Sequence, residues 1–268
     1  MRSRDVLSAG EDLPEHETVR LLVAATGRTR SDVLLGFDVS SEDRDKFWSY
    51  LERRRDGEPL QYIEGAVPFG SVEIQVDDRV LVPRPETEYL FELVTALAED
   101  PAVIVDLCTG SGNLALALAA FFVDAEVFAV DLSPEAAIVA RGNAKSNDLD
   151  IHVLVGDLFD PLPDSLRGRV DLLVSNPPYL AAGEVAGLPA DVSAEPEMAL
   201  VAGPKGDEVL SRIARQAEDW LVPGGLIACE ISEFHGDRIA EIFERYDARI
   251  RQDLTGRDRY VIGTSRFG

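Results

Sequence analysis

Apolar positions change their period along the chain, and the changes divide it. Through residue 66 they recur at helical steps. Glu17 to Gly27 (E-T-V-R-L-L-V-A-A-T-G) is amphipathic and ends on a glycine stop. Thr29-Arg30-Ser31-Asp32 precedes a short apolar turn, V-L-L-G-F. Ser40 or Ser41 can cap a helix running through Phe47, Trp48 and Leu51 to Arg53-Arg54-Arg55, where Gly57-Glu58-Pro59 breaks it. The pattern predicts a small bundle of four or five short helices over 1–66. Over 67–82 the period falls to two. V-E-I-Q-V alternates, Asp77-Asp78 offers a turn and R-V-L-V follows, which predicts a β-hairpin linker between two domains.

Pro83-Arg84-Pro85-Glu86-Thr87-Glu88 opens a helix from Tyr89 to about Leu97, with Thr87 or the preceding proline marking its start. From there to 268 short apolar runs alternate with helical stretches. The runs are Val103 to Leu107, E-V-F-A-V-D-L ending at Asp131, I-H-V-L-V-G-D-L with Asp157 just past its end, and Val170 to Ser175. A long loop (180 to about 205) and a helix from Asp207 to Leu221 lead to L-I-A-C-E-I. A further helix spans 237–247, and R-I-R-Q-D-L with R-Y-V-I-G-T-S closes the chain as a pair. Repeated strand–helix units predict an α/β fold: a parallel sheet covered on both faces, with one antiparallel strand added by the final pair.

Composition narrows the setting. The chain has 268 residues, of which 46% are hydrophobic, enough for a full core. No apolar run approaches a membrane span and no signal-peptide core is present, so a soluble, cytoplasmic protein is expected, without membrane partners. Cys108 and Cys229 lie in or beside apolar runs without metal-ligand spacing, which predicts buried thiols and no metal. Net charge is −23; the first 66 residues carry 10 basic and 14 acidic side chains, the remainder 16 and 35. So acidic a surface opposes direct binding of nucleic acid. Both a high-salt or solubility adaptation and a basic partner accommodate it. The three arginines at 53–55 complement a helix C-terminus, with a docking patch as the alternative.

The strand ends carry the chemistry. Cys108-Thr109-Gly110-Ser111-Gly112 follows the first strand, and two glycines let backbone approach a ligand closely. The turn departs from the dinucleotide fingerprint, since position 115 is Ala, and no Lys follows to make a phosphate loop. Asp131 can accept both hydroxyls of a ribose. Asp157 can accept from an adenine amino group, with Leu158 beside the base. Each residue alone is an ordinary cap or turn residue; their succession on consecutive strand ends points to a nucleoside ligand. The fourth strand ends at Asn176-Pro177-Pro178-Tyr179, where two prolines stop the ladder. The Asn176 carbonyl and the Pro177 carbonyl are two acceptors for the hydrogens of a planar NH2 group, and Tyr179 can lie on its face. Either a base amine or a carboxamide satisfies that geometry.

These motifs resemble the class I S-adenosylmethionine-dependent methyltransferases and, within them, the HemK/PrmC family of protein glutamine N5-methyltransferases. The resemblance spans nearly the whole chain: R-R-R-D-G-E-P-L-Q-Y-I-E-G (53–65), V-L-V-P-R-P-E-T-E (80–88), D-L-C-T-G-S-G-N-L-A-L-A-L-A (106–119), N-P-P-Y (176–179), and E-P with the later A-L-V-A-G (195–203). It implies a Rossmann-like, seven-stranded mixed sheet over 83–268 behind a helical substrate-recognition domain. It implies methyl transfer from S-adenosylmethionine, leaving S-adenosylhomocysteine, to the glutamine of the Gly-Gly-Gln motif in class I peptide chain release factors. Cys108 to Gly112 would line the methionine and ribose portion of the cofactor, Asp131 would bind the ribose, and Leu158 the adenine. Asn176, also bordering the cofactor, would hold the glutamine amide with Pro177, Pro178 and Tyr179. A ribosomal-protein glutamine, a nucleic-acid base amine and a non-catalytic cofactor-binding adaptor are the alternatives. Two departures stand out: Cys108 where many relatives have Gly, and Glu230-Ile231-Ser232-x-x-His235 where E-x-G-x-x-Q is expected.

Overall fold

In the computed structural model, which describes residues 2–234 and 236–266, the chain divides into two units. One is Met1–Ala66 with Pro189–Ala194, the other Val67–Leu188 with Glu195–Gly268. His235 lies outside the described residues.

Among the described residues the first unit holds helices at Ser3–Leu7, Glu15–Thr26, Arg30–Leu35, Ser41–Arg55 and Leu60–Glu64, with one further turn at Ala190–Ser193. Local chemistry sets their ends. Gly27 takes a left-handed φ of 64° that stops the second helix. Thr29 and Asp32 form a reciprocal capping box, and Ser40 accepts from the Asp43 amide at 3.0 Å. The apolar faces meet in a core that buries Leu21, Leu22, Phe47 and Leu51 completely, each contributing on the order of 1.5–3 kcal/mol. The arginine cluster is committed within this unit. Arg53 pairs with Glu58, Arg54 Nε reaches Glu17 at 2.7 Å, and Arg55 Nε reaches Asp12 at 2.8 Å.

The second unit opens with a hairpin of β1 (Ala66–Phe69) and β2 (Val72–Gln75). Its turn is therefore at Gly70-Ser71, where Gly70 has φ 55°, and not at Asp77-Asp78. The Asp-Asp segment does turn, because Asp77 accepts from the Arg79 amide at 3.1 Å and its side chain at 2.8 Å. The chain beyond it, R-V-L-V, runs as coil rather than as a second strand. The 67–82 hairpin expected from alternation is thus confined to 66–75. The free edge of β2 is satisfied by side chains: Asn143 exchanges two hydrogen bonds with Gln75 (2.8 and 3.0 Å), and Asn147 two with Glu73 (3.0 and 2.8 Å).

The main sheet comprises β3 (Val103–Leu107), β4 (Glu126–Asp131), β5 (His152–Val155), β6 (Val170–Ser175), β9 (Leu221–Glu230), β10 (Asp247–Gln252) and β11 (Asp258–Thr264). A short pair, β7 (Leu180–Ala181) and β8 (Val201–Gly203), interrupts the loop before β9. Among the described residues the sheet has seven strands in the order β10-β11-β9-β6-β3-β4-β5. β3, β4, β5, β6 and β9 pair in parallel. β11 is antiparallel to both its neighbours. The chain steps from β3 outward through β4 and β5, then returns to lay β6 on the other side of β3. Such a reversal opens a crevice at the carboxyl ends of the strands. Register aligns those ends: Leu107 pairs with Val130 and with Ser175, and Asp131 with Val155. Val105, Leu107, Leu173 and Val174 are fully buried, as continuous apolar strands of a covered sheet must be. No described helix is long and apolar enough to cross a membrane.

Candidate active site

The crevice holds a cavity of about 230 Å³. Of the residues singled out in the sequence, Cys108, Thr109, Gly110, Ser111, Asp131, Asp157, Leu158, Asn176 and Pro178 line it. Gly112, Pro177 and Tyr179 do not. Gly112 caps the helix Asn113–Phe121 with φ 83°, Pro177 is buried behind the wall, and the Tyr179 hydroxyl points to Glu230 at 3.2 Å.

The turn after β3 is held from beneath. Asp106 Oδ2 accepts from Thr109 Oγ1 at 2.6 Å and from the Ala115 amide at 3.2 Å. Burial pushes this carboxyl up to about 7, and its Oδ1 has no hydrogen-bond partner. Asp131 accepts from the Gly110 amide at 2.7 Å and the Ser133 amide at 2.8 Å, so it fixes the turn while its carboxyl lies on the cavity wall. Burial raises its pKa against those two donors. Added donors, such as a vicinal diol, would relieve that penalty. Space beside Gly110 is open, so the donor set and the room both suit a nucleoside. Asn143, fully buried, also donates to the Ser111 carbonyl at 2.9 Å and so ties the turn to β2.

Cys108 has φ 58° and Leu158 φ 50°, left-handed backbone that side chains other than glycine rarely take. Such strain gathers at sites where the surroundings hold it. Cys229 is buried as expected, whereas Cys108 is only half-buried. Burial and the Asp131 carboxylate push the Cys108 thiol up, so it stays protonated. Asp157 Oδ2 accepts from Arg212 Nη2 at 2.7 Å.

The amide end is built by elements far apart in sequence. Asn176 Nδ2 donates to Thr87 Oγ1 at 3.0 Å, and Thr87 donates on to Glu230 Oε2 at 2.8 Å. Among the described residues nothing donates to Asn176 Oδ1 or to the Pro177 carbonyl. Burial raises Glu230 to about 7 and holds the Tyr179 phenol well above its ordinary value, so Tyr179 is a neutral donor. Glu195, also buried, accepts from the Val82 amide at 2.9 Å and pairs with Arg84. It joins the E-P segment to P-R-P-E-T-E and sets Pro196, Met198 and Ala199 on the cavity wall.

Thr87, Glu230, Glu195 and Arg212 were not recognised as site residues from the sequence. Thr87 sits in the first turn of a helix that begins at Pro85, four residues earlier than expected, and there it read as a cap. Glu230 registered only as part of a departing motif.

Solved structures share this architecture. A methyltransferase from Pyrococcus furiosus matches with a TM-score of 0.55 at 22% identity, over 74% of this chain and 90% of its own. The T. thermophilus 16S rRNA N2 G1207 methyltransferase, solved with AdoMet and guanosine, gives 0.55 at 19% over 75% and 50%. A seven-stranded sheet with its penultimate position filled by an antiparallel strand, and a crevice at the β3/β6 reversal, defines a class I S-adenosylmethionine-dependent methyltransferase fold.

Sequence comparison is finer. Residues 3–65 match the PrmC N-terminal domain and residues 88–190 the methyltransferase small domain. The release factor glutamine methyltransferase of Deinococcus radiodurans is 38% identical over 97% of this chain and 98% of its own length. That of Mycolicibacterium smegmatis is 40% identical over 96% and 92%, and that of Moorella thermoacetica 36% over 98% and 95%. The chain belongs to the release factor glutamine methyltransferase family.

Proposed function

We propose that this protein methylates the side-chain amide nitrogen, N5, of a glutamine in a peptide chain release factor, at the Gly-Gly-Gln motif of class I factors. The observation that carries the reading is the Asn176 carboxamide, anchored through Nδ2 with Oδ1 left to a ligand, at the strand end facing a nucleoside-sized cavity. Bound S-adenosylmethionine supplies a methyl group already activated on a sulfonium, and S-adenosylhomocysteine is the product.

In this reading Cys108 to Ser111 would hold the methionine and ribose portion, with Gly112 closing the turn behind them and Asp131 accepting from the ribose. Asp157 and Leu158 border the adenine, with Asp157 Oδ1 free of the Arg212 contact. Asn176 Oδ1 and the Pro177 carbonyl accept the two amide hydrogens of glutamine, and Pro178 and Tyr179 flank its plane. An amide nitrogen is a weak nucleophile because its lone pair is delocalised. Accepting both hydrogens pushes density back to nitrogen and aims it at the methyl carbon. Such positioning supplies up to roughly 7–11 kcal/mol. As the carbon–nitrogen bond forms and the carbon–sulfur bond breaks, the nitrogen loses its extra proton to water, so no general base precedes transfer. The helical unit contributes recognition of the release factor, and the protein works in the cytoplasm, where translation terminates.

The test is mass spectrometry of a purified release factor after incubation with the protein and S-adenosylmethionine. One methyl on the Gly-Gly-Gln glutamine is expected, and Asn176→Ala should lower turnover by at least about a hundredfold, as for loss of a preorganised transition-state contact. Undiminished turnover in Asn176→Ala refutes the role of Asn176. Methylation of a ribosomal-protein glutamine or of a nucleic-acid base in place of the release factor refutes the substrate.

A further inference from the structure

We infer that Thr87 and Glu230 are positioning residues: together they fix the rotation of the Asn176 carboxamide so that Oδ1, not Nδ2, faces the substrate amide. The inference rests on the glutamine-methylation reading above. A carboxamide has nearly the same shape after a half-turn, yet the turn exchanges an acceptor for two donors. With Nδ2 forward, Asn176 would meet the substrate NH2 donor to donor, and the clamp would fail. Packing cannot prevent the turn, because the two forms are sterically alike. Hydrogen-bond polarity can.

A threonine hydroxyl has one proton to give. Thr87 gives it to Glu230 Oε2 at 2.8 Å, so toward Asn176 it presents only a lone pair, and Nδ2 fills it at 3.0 Å. Thr87 and Glu230 are each 1% exposed, so water cannot substitute for either. The other carboxylate oxygen accepts from the Tyr179 hydroxyl at 3.2 Å. One buried carboxylate thus sets the direction of hydrogen bonding at both ends of Asn176-Pro177-Pro178-Tyr179. An ionised Glu230 accepts only. A protonated one can donate to Thr87 Oγ1, which frees the threonine proton to turn toward Asn176 and admits the reversed carboxamide.

The groups that face Glu230 decide when this happens. Arg259 on β11 favours the ionised form, and Glu86 on the Pro85–Leu97 helix opposes it. Tyr179, past β6, and Tyr260, opposite Glu230 on β11, are neutral phenols, both held above their ordinary pKa by burial. With Glu230 raised to about 7, the working orientation is lost as pH falls through that value.

The experiment uses the full chain, a release factor and labelled S-adenosylmethionine. Thr87→Val keeps the shape and removes the hydroxyl; kcat should fall at least about tenfold, the loss of one bond to a charged group. Release-factor KM and cofactor affinity should stay within about twofold, and Thr87→Ser should restore kcat to within about threefold, because only orientation is lost. Wild-type kcat should rise with pH through about 7, and Glu230→Gln, which cannot ionise, should show no such limb. The Glu230→Gln profile decides the matter even if Thr87→Val does not fold. A wild-type kcat in Thr87→Val, a loss confined to KM or cofactor affinity, or an unchanged pH limb in Glu230→Gln overturns the inference. Failure of the wild-type protein to methylate the release factor instead overturns the function proposed above.

Discussion

Glu230→Gln should make the protein more stable, by an amount that grows with pH. The carboxyl is fully buried, and burial raises it from 4.5 to about 7 against the opposing effects of Thr87, Tyr179 and Arg259. The sign follows from linkage. Between these two values the unfolded chain has already lost the proton while the folded one still holds it. Stability therefore falls as pH rises through this window and levels off above the folded value. A shift of this size costs the folded state about 3 kcal/mol once Glu230 is fully ionised. Glutamine carries no such penalty at any pH. Its NH2 group fits one of the two donor contacts poorly, a cost of about 1 kcal/mol that does not vary with pH.

Urea unfolding of both proteins, from about pH 5.5 to about pH 8.5, isolates the effect, and the difference in unfolding free energy should grow by about 2 kcal/mol across that range. Staying above that lower limit avoids the acid range where 49 acidic against 26 basic residues bring the net charge to zero. Asp106 and Asp131 are also raised by burial, but both proteins share them and they cancel in the difference. A difference independent of pH, or one that shrinks as pH rises, refutes the claim that Glu230 is ionised at a cost within the fold.

Two further substitutions probe the Gly-rich turn. Gly112→Ala should lower stability by about 1–2 kcal/mol, since φ is 83° and the new Cβ would lie 3.2 Å from Ala140 Cβ; an unchanged or higher melting temperature counts against it. Asn143→Ala removes three hydrogen bonds of a fully buried side chain, two part-buried ones to Gln75 and one buried one to Ser111, and should cost about 2–4 kcal/mol in denaturant unfolding. It should also weaken S-adenosylmethionine binding, because the turn loses its tie to β2; calorimetric titration with unchanged affinity would separate the two effects and deny the second.

The strand ends were legible in the sequence because each combined two local signals, an apolar run and a residue that stops it. Asp131 and Asn176 fall where that logic put them, at the ends of β4 and β6, the two parallel neighbours of β3. The hairpin was misplaced because both candidate turns are turns. Gly70-Ser71 lies between short alternating strands, while Asp77-Asp78 closes on Arg79 and the chain then leaves the sheet. Nothing in R-V-L-V distinguishes a strand from a segment whose amide is taken by a glutamate 113 residues away. Thr87 and Glu230 were illegible for the same reason. Their contact spans 143 residues, and each has an ordinary local explanation.

Those two residues also explain why so costly a group persists in the interior. Only an ionised carboxylate accepts from Thr87 and from Tyr179 together. Glutamine offers one acceptor and one donor, so one contact must reverse, and a hydrophobic residue satisfies neither. Replacing a buried charge by a neutral group often stabilises a protein, and the expectation for Glu230→Gln is of that kind. What the charge adds is direction: with it, the Thr87 proton has one destination and the Asn176 carboxamide one orientation. Stability and turnover should therefore move in opposite senses in Glu230→Gln. In Thr87→Val both should fall, because the charge stays buried while its donor is gone.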